Sequence, residues 1–290
     1  MKKLHIPKRW AQRGFTLVEL AIVMTIIGLL IGGILKGQEL MQNARVTATI
    51  AQVRSYEAAT TTFRDSFAAI PGDMNNASTR ITGCDVSCNP CATGPACTAP
   101  SPGAGDSMVG SPVWASTLAW ASQTPASMVT TGAQTAPGAE TVLFWRHLSL
   151  ADLIAGISSS ANIAWADSHP QARIGGGFIV GMGNGTRPPG AAAIAPLNGG
   201  PSGMILALVQ SPNTGTVATM TATGQQPVPP SRAAQIDRKM DDGRPAGGFV
   251  QAYGLTGSCY NTGAPFTATA PGYLETVVAN DCGLMFRIQG

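Results

Sequence analysis

The sequence predicts an α+β fold, in which a long N-terminal α-helix packs on an antiparallel β-sheet roll with long, disulfide-bearing loops. Three features support this prediction. Residues 15–35 form an apolar run, an amphipathic helical pattern continues to residue 70, and strand-like runs occur only in the second half of the chain. A helix followed by strands is the element order of α+β domains, where the helix covers one face of the sheet.

The apolar run extends from Phe15 to Leu35 and contains a single charged residue, Glu19. As a helix rising ~1.5 Å per residue, it would reach ~31 Å, the thickness of a bilayer core. A carboxylate at mid-depth in hydrocarbon costs roughly 2.5 kcal/mol or more, and such residues usually have a partner or a function. Glu19 lies near the start of the run, where this cost is lower, and we expect it to have such a partner.

The first fourteen residues are strongly basic and carry no acid; their cations are Lys2, Lys3, Lys8, Arg9 and Arg13. The positive-inside rule predicts that this leader stays in the cytoplasm and that the chain after Leu35 faces outward. Without the leader, Lys+Arg falls from 18 to 13 while Asp+Glu remains 15, so the formal charge changes from +3 to −2. Such a chain offers little electrostatic basis for binding nucleic acid, and no nucleic-acid partner is predicted.

The helical pattern continues beyond the apolar run as a stripe of residues at three- and four-residue spacings: Val46, Ile50, Val53, Tyr56, Thr60, Phe63, Phe67 and Ile70. Arg45, Arg54 and Arg64 fall between them. We expect one helix from Phe15 to Ala69, about 82 Å long, that ends before Pro71 because the residue preceding a proline is disfavoured in a helix.

Four glycines in the first half of this helix form overlapping GxxxG spacings: Gly28, Gly32, Gly33 and Gly37. This spacing allows helices to approach closely, either in a dimer of membrane helices or in a larger bundle.

The apolar run also differs from a secretory signal peptide, in which the apolar core precedes a small residue at the cleavage site. Here the small residue, Gly14, comes first. A basic leader, then Gly14, Phe15 and the sequence TLVEL at the start of an apolar helix resembles the N-terminus of the type IV pilin and type II secretion pseudopilin family. The resemblance implies that a prepilin peptidase cleaves between Gly14 and Phe15 and methylates the new amine of Phe15. Glu19 would then be the fifth mature residue and would pair with that amine in a neighbouring subunit, setting the register of a filament.

The resemblance also implies the organisation of the chain. Residues 1–14 are a cleaved cytoplasmic leader, 15–35 a transmembrane and filament-core helix, and 36–70 its amphipathic continuation. Residues 71–290 are an extracytoplasmic domain, with an enlarged loop region at 71–138. The GxxxG glycines would then pack within a multi-helix filament core.

The function implied is structural. The chain would be a membrane-anchored precursor in a bacterial inner membrane and then a subunit of a type IV pilus or related filament. Its partners would be copies of itself, other pilins, the prepilin peptidase and the assembly platform of a pilus or secretion system. A pseudopilin or minor pilin in a tip or short piston is the main alternative. A filament subunit for DNA uptake or adhesion is a further one.

Six cysteines lie in the outward-facing part of the chain, where oxidation to disulfides is expected. Four are clustered, Cys84, Cys88, Cys91 and Cys97, and allow three connectivities. Their spacing, with no nearby histidine, is poor for zinc. Cys259 and Cys282 lie close to the C-terminus, where many pilins carry a disulfide, so the resemblance favours their pairing.

The remaining elements follow from short patterns. Residues 140–154 have helical spacing through Val142, Trp145, Leu148 and Leu153, and a second short helix is expected near residues 232–243. Strand-like runs occur at 176–182, 203–210, 247–254 and 274–288, and we expect them to form a meander.

No constellation of catalytic residues is evident, so no enzymatic activity and no cofactor are predicted. His147 and Asp152 lack an associated nucleophile and are interpreted as ordinary residues of a helix face and helix end. A weak calcium candidate is formed by Asp237, Asp241 and Asp242. It departs from the EF-hand pattern because Lys239 occupies a ligand position, and a helix end followed by a solvated turn is favoured over a metal site.

Overall fold

The computed structural model describes residues 16–85, 88–90, 105, 107, 109, 140–158, 164–184, 202–212, 224–245, 247–254, 258–261 and 272–288. Within them lie four helices, α1 (Leu17–Phe67), α2 (Ala77–Arg80), α3 (Glu140–Leu150) and α4 (Pro230–Met240). The strands are β1 (Gly177–Asn184), β2 (Ser202–Val209), β3 (Val250–Gly254) and β4 (Cys282–Arg287). The chain divides into two compact units, residues 1–44 and residues 45–290. The fold class predicted from the sequence is confirmed: a long N-terminal helix is combined with an antiparallel sheet.

In the second unit, the predicted stripe of α1 forms part of the core. Val46, Ile50, Val53 and Phe63 are all buried, and Tyr56 makes edge-to-face contacts with two aromatic rings. Its ring centroid lies 5.2 Å from that of Trp145 in α3 and 5.5 Å from that of Phe178 in β1. The same face of α1 thus holds both a helix and the sheet, through apolar burial and aromatic pairing.

A polar contact fixes this part of α1 against the chain that leads into β1. The side-chain amide of Gln52 donates to the carbonyl of Gln171 at 3.0 Å and accepts from the backbone N–H of Arg173 at 3.0 Å. One glutamine therefore satisfies a backbone acceptor and a backbone donor of the same loop.

Helix α1 ends at Phe67, two residues earlier than expected. Ala68 has a left-handed conformation, with φ of 52°, and its N–H donates to the carbonyl of Arg64 at 2.8 Å. A left-handed residue after the last turn is the usual way to satisfy a helix C-terminus, although glycine normally supplies it. The turn is completed before Pro71 restricts the chain.

Helix α3 also ends before the predicted position, at Leu150 rather than Ile154. Asp152 is left-handed, with φ of 59°, and its N–H donates to the carbonyl of Ser149 at 3.1 Å. The N–H of Leu153 donates to the carbonyl of Leu148 at 3.0 Å. These two bonds form a Schellman motif, so Asp152 has a role in ending the helix.

The sheet has the order β1-β2-β4-β3, with every neighbouring pair antiparallel. The predicted meander is therefore wrong, because the last strand lies between β2 and β3. Residues 274–280 are not a strand, and β4 begins at Cys282. Five of the six β4 residues are buried, so the strand suits a central position covered on both faces.

The two faces of the sheet have different apolar contacts. Phe178, Leu206 and Phe286 belong to the main core together with α1 and α3. Ile205, Met285 and Tyr253 form a smaller cluster on the other face. Successive side chains alternate between the two faces because the strand period is two residues.

Tyr253 covers a glycine on this second face. Tyr253 in β3 is the register partner of Gly283 in β4, and a Cβ atom added at Gly283 would overlap the Tyr253 ring. The Tyr253 hydroxyl donates to the carbonyl of Leu208 at 2.6 Å. The missing side chain at Gly283 therefore allows the ring to lie across β4 and reach β2.

We expect Gly283→Ala to lower the free energy of unfolding by about 1–3 kcal/mol, because the added methyl must displace a buried ring from a well-packed site. Gly247→Ala is the matched control, since a Cβ there meets nothing within 4 Å. Denaturant unfolding of both variants would measure the difference. Equal stability of the two would show that the contact between Tyr253 and Gly283 does not constrain the sheet.

Candidate functional site

The candidate site is the start of α1. The predicted cleavage and methylation residues, Gly14 and Phe15, lie outside the described residues, which begin at Thr16. Helix α1 then starts at Leu17 and places Glu19 in its first turn. An acidic residue is favoured in this turn because the free N–H groups give the helix N-terminus a partial positive charge.

Thr16 and Glu19 form a capping box. The N–H of Glu19 donates to Oγ1 of Thr16 at 3.3 Å, and the carboxylate of Glu19 accepts from the N–H and Oγ1 of Thr16, both at 2.9 Å. This capping box was not predicted from the sequence, although its signature is present: a threonine followed three residues later by a glutamate, before an apolar run. The carboxylate therefore has a local partner in the separate chain.

The first part of α1 exposes an apolar surface. Of the sixteen large hydrophobic residues exposed in the described part of the chain, fifteen lie between Leu17 and Met41, with exposed fractions from 44% at Ile27 to 86% at Leu17. Among the described helices, α1 is the one that is long and apolar enough to cross a membrane. Lys36 and Glu39 pair at 2.7 Å where the apolar run gives way to polar sequence.

The GxxxG glycines lie on this exposed part of α1. A Cβ atom added at Gly28, Gly32, Gly33 or Gly37 would meet nothing within 4 Å. Among the described residues, these glycines therefore relieve no steric crowding, although each weakens a helix by up to about 1 kcal/mol relative to alanine. They leave room for another surface to approach the helix closely.

The structure contains two disulfides among the described cysteines, which include no free thiol. Cys259 is joined to Cys282, so the bridge ties the first residue of β4 to the chain that follows β3. Cys84 is joined to Cys88. Cys91 and Cys97 lie outside the described residues. The bond between Cys84 and Cys88 excludes the two connectivities in which Cys84 pairs with another cysteine of the cluster.

The acidic residues at the end of α4 do come together. One carboxylate oxygen from each of Asp237, Asp241 and Asp242 lies within 4.8 Å of the others. Asp237 accepts from the Tyr273 hydroxyl at 2.7 Å and from the Gly243 N–H at 3.1 Å. Asp241 accepts from the backbone N–H groups of residues 249 and 250, and Asp242 from that of residue 244. Through these hydrogen bonds, the three carboxylates stabilise the turn between α4 and β3. This role favours the interpretation of the segment as a helix end followed by a turn.

Burial raises the pKa of Asp237 to about 6, with a smaller rise caused by the neighbouring Asp242 and Asp241. The hydrogen bonds from Tyr273 and Gly243 oppose this rise by favouring the ionised form. Tyr273 in turn has a raised pKa, mainly through burial and through its proximity to Asp237.

His147 is more constrained than the sequence suggested. It is fully buried, its Nδ1 lies 2.9 Å from the Gly72 N–H, and its Nε2 lies 2.8 Å from the Cys88 carbonyl oxygen. The interpretation of His147 as an ordinary helix-face residue missed these contacts, because both partners are backbone groups of distant loops.

We expect peptide mapping without reduction to find Cys84 joined to Cys88 and Cys259 joined to Cys282. Replacing Cys259 and Cys282 by serine should cost about 3 kcal/mol of unfolding free energy, against about 2 kcal/mol for Cys84 and Cys88, because the longer loop gains more freedom when opened. Denaturant unfolding of the two double variants provides the comparison. Alkylation of any of these four cysteines before reduction would contradict the pairing.

We expect the free energy of unfolding of Asp237→Asn to increase, relative to that of the wild type, as the pH rises from 4 to 7. The folded pKa of about 6 exceeds the ordinary aspartate value of 3.8, so the stabilising contribution of Asp237 is present in acid and is lost as the pH rises through 6. The difference should reach at most about 3 kcal/mol. It would be measured by urea unfolding at several pH values in a buffer that contains a metal chelator.

Added calcium supplies the control for this experiment. If the three carboxylates hold a cation, calcium should raise the melting temperature of the wild type and not that of Asp237→Asn.

A difference in unfolding free energy between the wild type and Asp237→Asn that is independent of pH would contradict the raised pKa of Asp237.

Comparison with known proteins adds one match. Residues 11–35 match the family model described as the prokaryotic N-terminal methylation motif. No curated protein and no solved structure matches the chain. The matched segment includes Gly14, Phe15 and Glu19 and ends where the apolar run ends. The chain therefore carries the class III prepilin-type motif of type IV pilins and pseudopilins.

Proposed function

We propose that the chain is a structural subunit of a type IV pilus or related filament. It is made as a membrane-anchored precursor, cleaved between Gly14 and Phe15, N-methylated at Phe15, and assembled by bundling α1 with its copies. The observation that carries this proposal is the exposed apolar surface of α1 directly behind the methylation motif. A surface of this size requires a lipid or protein environment. Filament assembly would transfer it from lipid to the helices of neighbouring subunits.

The glycines support bundling rather than simple anchoring. A single membrane anchor would be more stable with alanine at Gly28, Gly32, Gly33 and Gly37, since none of these positions is crowded in the separate chain. Close packing against neighbouring helices supplies a reason for four glycines in one helical segment. The proposed partners are therefore copies of this chain or other pilins, delivered by an assembly platform after processing by the prepilin peptidase.

The capping box supports a role for Glu19 in assembly. It holds the carboxylate against the N–H of Thr16, the residue that follows the amine that cleavage would create. A positive α-amino group brought into a helix bundle needs a negative partner, and the carboxylate of a neighbouring Glu19 supplies it. This pairing would define the axial register between subunits.

A pseudopilin or minor pilin is the second candidate. It is favoured by the length of the segment between α1 and α3, residues 68–139, because connections this long in a compact domain are usually functional. Mass spectrometry of sheared surface filaments separates the two candidates. Abundant filaments made of this chain support the pilus subunit, and trace amounts support the minor or secretion role.

We expect Glu19→Gln to be inserted and cleaved normally but to fail in assembly. Glutamine also suits the capping box, so the helix start is retained, while the charge that would neutralise the Phe15 amine is lost. Leaving one charge of a buried pair without its partner costs on the order of 3–5 kcal/mol. The measurement is the ratio of filament to membrane-bound mature chain, in cells that lack the wild-type protein.

Two controls keep the steps of this experiment separate. N-terminal mass spectrometry should show that both the wild type and Glu19→Gln begin at N-methylated Phe15. Thr16→Ser retains a capping hydroxyl and should assemble normally. Wild-type filament yield from Glu19→Gln would refute the register role, and a mature chain that begins elsewhere than at Phe15 would refute the processing step.

A further inference from the structure

His147 joins three separate parts of the second unit. It lies on α3, its Nδ1 contacts Gly72 in the turn after α1, and its Nε2 contacts Cys88 in the disulfide loop 84–88. Its ring also stacks on that of Phe63 in α1, with centroids 6.0 Å apart and an angle of 11° between the planes. One buried side chain thus holds two loop segments against α1 and α3.

The two hydrogen bonds define the protonation state of the ring. The backbone N–H of Gly72 is a donor, so Nδ1 must accept. Nε2 therefore carries the proton and donates to the carbonyl oxygen of Cys88. This arrangement uses both nitrogens and is available only to the neutral Nε2–H form, because in the imidazolium ion both nitrogens are donors.

The carboxylates on the surrounding elements have other hydrogen-bond donors. Asp73, beside Gly72, accepts from the N–H groups of Gly105 and Ser107. Asp85, in the disulfide loop, pairs with Arg146 of α3 at 3.4 Å. Glu140 lies two turns before His147 on α3. On α1, the charged residues nearest to Phe63 in sequence are Glu57, which is half-buried, and Arg64 and Asp65, which are exposed.

Burial lowers the pKa of His147 to about 4; the hydrogen bond to Cys88 opposes this change, and the positive charge of Arg146 adds to it. When the two loop segments separate from the ring, the pKa of His147 returns toward the ordinary histidine value of 6.5. The open form therefore binds a proton more tightly than the closed form, and acid favours opening.

We propose that His147 is an acid-sensitive latch: its neutral ring fastens the Gly72 turn and the Cys84–Cys88 loop to α3, and its protonation releases them. Protonation places a new N–H at Nδ1 directly against the N–H of Gly72. The hydrogen bond is replaced by a contact between two donors, and a positive charge is buried beside Phe63. The disulfide between Cys84 and Cys88 then becomes accessible to solvent while the sheet keeps its structure.

The two disulfides allow the latch to be distinguished from general unfolding. Cys84–Cys88 lies in the loop held by His147, whereas Cys259–Cys282 is attached to β4. The detergent-solubilised full-length mature chain would be treated with a water-soluble phosphine at pH 7.0 and pH 4.5, and the thiols formed would be mapped by mass spectrometry. Each rate is divided by the rate of the same disulfide in the denatured chain at the same pH.

We expect the normalised reduction rate of Cys84–Cys88 to rise on the order of 50-fold between pH 7.0 and pH 4.5, as proton linkage between pKa values of about 4 and 6.5 requires. The rate for Cys259–Cys282 should change little. In His147→Gln, whose amide can both donate and accept without titrating, the acceleration should disappear. His169→Gln is the matched control, because His169 is also buried, with a pKa lowered to about 4 by burial, but contacts Ser168 instead of the two loops.

Three results would overturn the latch. The normalised rate of Cys84–Cys88 could be the same at both pH values, or both disulfides could accelerate together, which indicates general unfolding. The acceleration could also survive in His147→Gln. If His147→Gln does not fold, the comparison of the two disulfides within the wild-type chain still decides between local release and general unfolding.

Discussion

The packing of the second half of α1 is the constraint on which the second unit depends. Its buried stripe is the common surface for α3 and for one face of the sheet, and Tyr56 touches Trp145 and Phe178 at once. Because α3 and one face of the sheet share this core, loss of the stripe would expose part of both Trp145 and Phe178. The first half of the same helix is exposed among the described residues, which is why its apolar side chains indicate a partner.

Several of the described loops of the second unit are held by buried or half-buried polar side chains. Gln52 holds the loop before β1, Asp73 the chain at residues 105 and 107, His147 two further segments, and Asp241 the start of β3. Backbone groups of a loop that folds onto a core must find partners, and side chains on or beside helices supply them here. A loop-rich domain can thus be ordered without a large sheet.

The sequence predicted those features that depend on local periodicity. The stripe of α1 follows from a repeat of three and four residues, and β1, β2 and β3 from short apolar runs next to glycine. The insertion of β4 between β2 and β3 could not be predicted, because strand order depends on pairing between distant segments. The role of His147 was missed for a similar reason: its partners are backbone groups, which carry no signature in the sequence. The capping box, by contrast, has a sequence signature: Thr16 is followed three residues later by Glu19, before an apolar run.

In the proposed filament, the stability of the assembly and its register would have different origins. Glu19 already has hydrogen-bond partners in the separate chain, so pairing with a neighbour's amine replaces these bonds and adds little net free energy. The exposed apolar side chains between Leu17 and Met41 have no such alternative among the described residues, and their burial at roughly 25 cal/mol per Å² would supply the main driving force. Apolar burial alone tolerates helices that slide past one another. A positive Phe15 amine that meets a carboxylate at only one axial position does not, so a single carboxylate near the start of an apolar helix would select the register without contributing most of the stability.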